Sequence, residues 1–378
     1  MQPNIDIYSI IGIIGFIQGI FLSIVLVFHR TGNRIANYFL AAFLFVFSID
    51  ILGTIADYAG YYFLFPNLYL ITDPLDWAVG PLLFLYVVAL TQKGFRLKKY
   101  YFLHFVPFIL LGLVFAPIWF QSAEWKLDLI KESYNERLTN TGSSDNFQSK
   151  IVIALFFCTQ PLVYIILIFK TLHQHTMNLK NQFSTIGKIN LKWITYLLII
   201  ITLIWMAWFI LFLNLSNSDD VIILPVIFSF FVYGMGYFGL RQPAIFAQEQ
   251  EAYVTKYENS PLTDDQSKHY MLILTELMEK EQLYIDSDLC LDTLSHKLSL
   301  PARYVSQIIN EQTKQNFFDF VNRYRIDQAK RLLLESKDGR TNILSIAYDV
   351  GFNSKSAFNT AFKKYTHSTP SAYKKSVT

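Results

Sequence analysis

The sequence predicts an all-helical protein in two parts, and two contrasting patterns predict it. Before Arg241 the chain is a series of apolar runs, each close to the length of a bilayer-crossing helix. After Thr263 it turns into amphipathic stretches with helical periodicity and an ordinary complement of Lys, Arg, Asp and Glu. The 378 residues are 53% hydrophobic and 16% charged, averages that conceal this division. The expected organisation is a polytopic membrane domain over 1–241, a connector over 242–262 and a soluble helical domain over 263–378.

About seven runs come near the ~20 apolar residues that span a hydrocarbon core: 7–28, 36–56, 74–91, 101–120, 151–170, 193–213 and 221–240. The first is longer than a signal-peptide core and has no basic leader or small-residue cleavage site, so a retained helix is expected. The third begins among Pro74, Asp76 and Pro81 and is the most interrupted.

Orientation follows from Lys and Arg in the links. Those after spans one, three and five carry Arg30 and Arg34, then Lys93, Arg96, Lys98 and Lys99, then Lys180 and Lys188. The links after spans two and six carry none. The link after span four holds Lys126, Lys131, Arg137 and Lys150, balanced by Glu124, Asp128, Glu132, Glu136 and Asp145. This pattern places the N-terminus outside and the C-terminal part in the cytoplasm.

Carboxylates inside a membrane are costly and mark function by default. Asp50 falls within span two, Asp57 at its end, and Asp73 and Asp76 at the start of span three. Asp50 is the candidate signal site, as a ligand, ion or proton contact; the competing account is a hydrogen bond that packs helices. Gln18, His104 and Gln160 fit the packing account. Gly15 and Gly19 have the small-xxx-small spacing of close helix contacts. Tyr8, Tyr61, Tyr62, Trp77, Tyr100, Trp125 and Trp193 fit interfacial anchors. The two cysteines, Cys158 and Cys290, show no CxxC spacing and are expected as reduced structural thiols.

Arg241-Gln242-Pro243 leaves span seven, and the mixed-charge connector predicts a partly helical link. Thr263-Asp264 is a helix-start signal, and 265–281 an amphipathic helix with Tyr270, Leu274, Leu277 and Met278 inward. Asp288 is placed to cap a helix holding Leu291, Leu294 and Leu298. A short turn at Ser299-Leu300-Pro301 follows, with Pro301 expected at the first helical position. The next helix buries Tyr304, Val305, Ile308 and Ile309, and shows Arg303, Ser306, Gln307 and Asn310 on its other face. This is a helix-turn-helix outline.

The outline recurs. Ile343, Ile346, Ala347 and Val350 make an apolar stripe, Gly351 suits a turn needing positive φ, Phe352 plugs the core and Ser354 caps the next helix. There Phe358, Ala361, Phe362 and Tyr365 turn inward while Lys355, Ser356, Asn359, Thr360 and Lys363 share the opposite face. Such a face offers donors and acceptors to base edges, with lysines for phosphate; a solvated helix surface is the plain alternative. The helix over 316–335 joins the two outlines with Phe317, Val321, Tyr324, Ala329, Leu332 and Leu333 inward. It is about 30 Å long, close to one turn of DNA. Residues 340 to 378 hold Arg340, Lys355, Lys363, Lys364, Lys374 and Lys375 against Asp349 alone, in a chain whose net charge is +3.

From about 285 to 375 the chain resembles the AraC/XylS family of bacterial transcription regulators. The resemblance rests on Ile346-Ala347, Gly351-Phe352, Ser356, Phe358, Phe362-Lys363 and the segment Thr369-Pro370-Ser371-Ala372-Tyr373. Leu294, Val305-Ser306, Tyr324-Arg325-Ile326, Ala329 and Leu332-Leu333 agree upstream. It implies a seven-helix domain with two helix-turn-helix units and base contacts from the third and sixth helices. Carried over, those contacts fall on Arg303, Ser306 and Gln307, and on Lys355, Ser356, Ala357 and Thr360. The chain departs from the family where Lys314 and His367 replace glycines, Lys374 replaces an arginine, and Thr360 stands in place of a frequent arginine.

The expected function is therefore a membrane-tethered, sequence-specific transcription regulator in a bacterial cytoplasmic membrane, with its C-terminal domain in the cytoplasm. Its partners would be double-stranded promoter DNA, the lipid bilayer, a signal from a small molecule or the envelope, and, left open, RNA polymerase and a second copy of the chain. The alternative is a transporter or other membrane protein whose tail acts as a regulatory or scaffolding module. No metal-ligand cluster, nucleophile motif, phosphate loop or HExxH is present, so neither catalysis nor a cofactor is expected. His173 and His175 are expected on a solvent-facing basic link.

Overall fold

The computed structural model describes residues 5–29, 33–92, 94–139, 147–187, 189–214, 224–241, 262–335 and 342–377. The expected connector 242–262, but for Leu262, lies outside them, as do Arg30, Lys93, Lys188 and Arg340. The described residues are helical and turn, with one isolated antiparallel bridge between Phe183 and Cys290. Two compact units emerge: Met1–His173 with Leu191–Gln248, and Gln174–Asn190 with Glu249–Thr378.

The first unit is built on α1 (Ile7–Phe28), α2 (Arg34–Tyr58), α3 (Asp76–Thr91) and α8 (Leu224–Arg241). Around them are α4 (Val106–Trp119), α5 (Ala123–Thr139), α6 (Phe147–Gln182) and α7 (Lys192–Asn214). Asp6 caps α1 by accepting from Ser9 N, and Asn33 caps α2 by accepting from Ile35 N and Ala36 N. Gly19 is buried where a Cβ would collide with Ser48 of α2 and Val232 of α8, so its missing side chain sets that close approach. Among the described residues five segments are helical, long and apolar enough to cross a membrane: Ile7–Phe28, Arg34–Tyr58, Pro66–Thr91, Lys99–Trp119 and Leu155–Gln182. Lys192–Leu203 and Val226–Arg241 are shorter apolar helices. The link after the fourth run contains α5, which the charge pattern alone did not single out.

α6 continues past 170 to Gln182, which changes the reading of the histidine pair. Residues two apart on a helix face nearly opposite sides. His173 is exposed, but His175 is buried, so the expectation of a solvent-facing pair holds for one member only.

In the second unit α9 (Asp264–Lys280), α10 (Leu291–Leu298), α11 (Ala302–Thr313) and the first half of α12 (Phe317–Glu335) enclose one core. Leu274, Met278, Leu294, Val305, Ile309, Phe317 and Val321 fill it. The second half of α12, α13 (Ile343–Asp349), α14 (Lys355–Thr366) and α15 (Pro370–Val377) enclose another, filled by Ile326, Ala329, Ile346, Ala347, Val350, Phe358 and Phe362. A capping box of Thr263 and Gln266 starts α9. Asp288 does not cap α10: its own N–H donates to the Asp286 carboxylate, and Cys290 takes the cap position, held extended by its bridge to Phe183. Pro301 occupies the cap of α11, one residue before the expected position.

Three positions in this unit carry left-handed backbone that matters. Gly351 has φ +92°, and a Cβ there would lie 2.5 Å from the Ile285 carbonyl oxygen and 2.7 Å from that of Tyr284. Lys314 (φ +57°) and His367 (φ +58°) end α11 and α14 in the conformation that glycine adopts without penalty. Substituting Gly351→Ala should therefore cost about 2–3 kcal/mol, combining backbone strain with displacement of the 284–285 turn. Lys314→Gly and His367→Gly should each stabilise by about 0.5–1 kcal/mol, the relief of left-handed strain exceeding the added chain entropy. Hydrogen exchange of the second unit in detergent-solubilised full-length protein measures both; slower exchange in Gly351→Ala would contradict the first.

Candidate nucleic-acid interface

α10 and α11, and then α13 and α14, form two helix pairs, each joined by a tight turn. In the first, Ser299 takes a left-handed φ of +51° at the end of α10, and Ser295 Oγ donates to the Leu300 carbonyl. In the second, the Gly351 turn closes by Phe352 N donating to the Ala347 carbonyl (2.9 Å). Phe352 is buried edge-on against Phe358, with ring centroids 5.4 Å apart. Ser354 Oγ then accepts from Ala357 N (3.2 Å) and starts α14.

α14 buries Phe358, Ala361 and Phe362 and leaves Lys355, Ser356, Thr360 and Lys363 exposed. Asn359 is half-buried, and so is Ala357, which packs against the core. Among the described residues Lys355 and Lys363 have no carboxylate within ion-pair distance, whereas Lys364 is taken up by Asp319 (2.6 Å). Tyr365 donates to the Asp319 carbonyl (3.0 Å), fixing the end of α14 on the start of α12. The Thr369–Tyr373 motif has a structural meaning here. Thr369 Oγ1 accepts from Ala372 N, Pro370 opens α15, and Tyr373 packs edge-on against Phe362 at 5.4 Å.

α11 presents Arg303 and Gln307 to solvent, with Ser306 half-buried between them. Their side chains are pre-ordered along the helix. Arg303 lies over the Tyr304 ring (4.7 Å) and donates to its hydroxyl (3.1 Å); Gln307 donates to Glu311 (2.8 Å), and Asn310 to the Ser306 carbonyl (2.9 Å). These local bonds are weak and solvent-exposed, so base edges or phosphates can replace them at little cost. Glu311 puts a carboxylate at the far end of that face, a feature the sequence reading passed over.

One residue whose role local pattern does not reveal organises the unit. Arg325 of α12 is completely buried between the two cores. Its Nε donates to the Tyr284 carbonyl (2.7 Å), one terminal nitrogen to the Asp286 carbonyl (2.7 Å) and Ser184 Oγ (3.0 Å), and the other to the Ser184 carbonyl (3.2 Å) and Thr185 Oγ1 (3.1 Å). The guanidinium also faces the Phe352 ring, 5.6 Å from its centroid. Burial pulls its pKa down to about 10, which leaves it charged at neutral pH. The signal was present as an arginine on the apolar stripe of the joining helix, inside Tyr324-Arg325-Ile326; its partners were not legible, because 184–185 lie far away in sequence.

Asp50, the candidate in the first unit, is half-buried on α2 beside Asp76 at the start of α3, their carboxyls within hydrogen-bonding reach. Gln160 donates to the Trp77 carbonyl (2.7 Å), and His104 Nδ1 shares a hydrogen bond with the Tyr164 hydroxyl (3.0 Å). Both tie helices together. Cys158 and Cys290 are free thiols.

Residues 294–376 match the family model described as a helix-turn-helix domain. An uncharacterized HTH-type transcriptional regulator in the cgkA 5′ region of Pseudoalteromonas carrageenovora is 29% identical over 103 residues, covering 26% of this chain and 59% of that protein. The HTH-type transcriptional activator RhaS of Mannheimia succiniciproducens is 39% identical over 72 residues, 19% of this chain and 26% of that one. The crystal structure of the C-terminal domain of the response regulator yesN from Fusobacterium nucleatum is similar at 34% identity and TM-score 0.25, covering 28% of this chain and 98% of that one. The chain thus spans less than two thirds of the curated relatives' length, and the likeness is confined to its C-terminal part. On that match, with both helix pairs and their joining helix in place, the C-terminal region of this chain is a DNA-binding helix-turn-helix domain of the AraC type.

Proposed function

We propose that the chain is a membrane-tethered transcription regulator: a domain over 1–241 with about seven spans and its N-terminus outside, a connector over 242–262, and a cytoplasmic DNA-binding domain over 263–378. The observation that carries this reading is the exposed face of α14, where Lys355, Ser356, Thr360 and Lys363 stand together on a helix held rigidly by its buried side. In an AraC-type domain that face enters the major groove, with lysines against phosphate and Ser356 and Thr360 toward base edges. Arg303, Ser306 and Gln307 take the same role on α11, Asn359 borders the α14 contacts, and Ala357 offers apolar contact to a thymine methyl.

Membrane tethering is supported by apolar side chains that no protein surface covers. Ile10, Ile14, Ile17 and Phe21 of α1, and Ile109, Leu110, Leu113 and Val114 of α4, are all exposed. Such bands suit lipid and would be an aggregation hazard in water. Asp50, beside Asp76, is the candidate contact for a signal arriving in or across the membrane. RNA polymerase and a second copy of the chain are the protein partners this reading admits.

Genome-wide crosslinking of tagged full-length protein tests the proposal directly. Sharp sites should appear for the wild type and vanish in Lys355→Ala/Ser356→Ala; a membrane-inserted wild type with no sites would sink it. On the fragments recovered, Lys363→Ala should weaken binding about equally across sequences and flatten the log–log salt slope by about 0.9. Gln307→Ala should instead change sequence preference at one base pair, by about 1–3 kcal/mol. Equal losses on all fragments would remove Gln307 from the base-reading set.

A further inference from the structure

The second compact unit contains a stretch from elsewhere in the chain. Residues Gln174–Asn190, the end of α6 and the link to α7, group with the DNA-binding domain rather than with the helices they join. The link is received by specific bonds. Phe183 and Cys290 form an antiparallel bridge; Ser184 donates to the Leu289 carbonyl from both its N–H (3.2 Å) and its Oγ (2.6 Å). Ser184 is fully buried and Ile186 nearly so. The Arg325 guanidinium closes the contact on the Ser184 carbonyl, Ser184 Oγ and Thr185 Oγ1.

We propose that the surface formed by Leu289, Cys290 and Arg325 is a docking site for residues 183–186 of the same chain, and that occupancy of this site regulates DNA binding. This rests on the reading of the chain as a regulator and adds the route by which the helices reach the DNA-binding domain. Three features single out this link. It is continuous with α6 on one side and α7 on the other, so a change in their spacing or rotation pulls on it directly. It meets the domain at the residues immediately before α10, the first helix of the first helix pair. Its withdrawal would strip the guanidinium of three of its acceptors and leave one terminal nitrogen with Asn322 Oδ1 alone at 3.4 Å. A buried guanidinium uncovered in this way takes up water.

The consequence reaches both helix pairs. Arg325 also holds the 284–286 turn, and the Gly351 turn of the second pair packs on the carbonyls of Tyr284 and Ile285. With the link docked, the first pair, α12 and the second pair share one fixed seam. Undocked, that seam loses its outer wall and α11 and α14 lose their fixed relative setting. DNA affinity depends on both helices entering the duplex together, so docking changes affinity without changing any base-contacting residue.

The test uses full-length protein in lipid nanodiscs with Cys158→Ser and a protease site placed near residue 255. Phe183→Cys brings a thiol opposite the native Cys290, a cross-strand spacing a disulfide can bridge. Mild copper-phenanthroline oxidation should join the two fragments after cleavage, and reduction should release them. Ser184→Ala/Thr185→Ala removes the two link hydroxyls that accept from Arg325 and so shifts the link toward release without breaking backbone. With the DNA fragments recovered by crosslinking as probe, the oxidised lock and the double alanine variant should differ in affinity by about tenfold or more, on opposite sides of wild type.

Failure of the disulfide to form would overturn docking. A complete disulfide with affinities equal in the locked, wild-type and released proteins would make the contact a fixed scaffold and overturn the regulatory role. Failure of reduced wild-type protein to bind any fragment would overturn the regulator reading itself, while the disulfide yield would still decide whether residues 183–186 dock.

Discussion

The DNA-binding unit is organised by one buried positive charge. Moving a guanidinium out of water carries a penalty of several kcal/mol, recovered only when its donors all find acceptors in good geometry. Arg325 meets this with backbone carbonyls and hydroxyls rather than a contacting carboxylate. Carbonyl acceptors are fixed by the fold, so each bond pins a stretch of backbone. Three stretches distant in sequence, 184–185, 284–286 and α12 itself, are drawn to one point. Because α12 hands over from one core to the other at this residue, the guanidinium sits where two otherwise separate hydrophobic clusters meet.

That seam joins two small helix pairs and their connecting helix into one packed unit. α12 is about 28 Å long, near the repeat of the duplex, but a helix alone does not fix the rotation of what it joins. The rotation is set by contacts at its ends and middle: Tyr365 and Lys364 on Asp319, the 284–285 carbonyls against Gly351, and Arg325 between them. Gly351 is required there for two reasons at once, its positive φ and the closeness of those carbonyls. Lys314 and His367 show the reverse case, helix ends that take the left-handed geometry without the glycine that suits it.

On the proposed membrane reading, the first unit follows different physics. Helix association in lipid draws little on the hydrophobic effect, so close packing and internal hydrogen bonds carry more of it. Gly19 against Ser48 and Val232, Ser23 donating to the Ala41 carbonyl, and Gln160 donating to the Trp77 carbonyl are contacts of that kind. Ile10, Ile14, Ile17 and Phe21 of α1 and Ile109, Leu110, Leu113 and Val114 of α4 face outward, while Leu22 and Leu26 of α1 are buried.

Much of this was readable from residue order, because the determining patterns are local. A run of apolar residues names a long helix, and a 3.6-residue stripe names an amphipathic one; Ser354 before α14 and Gly351 after α13 announce a cap and a turn. Those signals sufficed to place both helix pairs, the joining helix and the polar faces of α11 and α14. Local pattern also misled where a distant segment intervened. Asp288 had the chemistry of a cap, but Cys290 took the position because Phe183 holds it extended. His175 stood on an apparently exposed link, yet α6 continues through it and turns it inward. The sequence by itself determined the helices and which faces are polar, since each depends on neighbours within a turn or two. Only the tertiary structure decided what Arg325 holds and where the 183–186 link lies, since a buried charge takes whatever acceptors the fold brings to it, and those came from residues as many as 141 positions away.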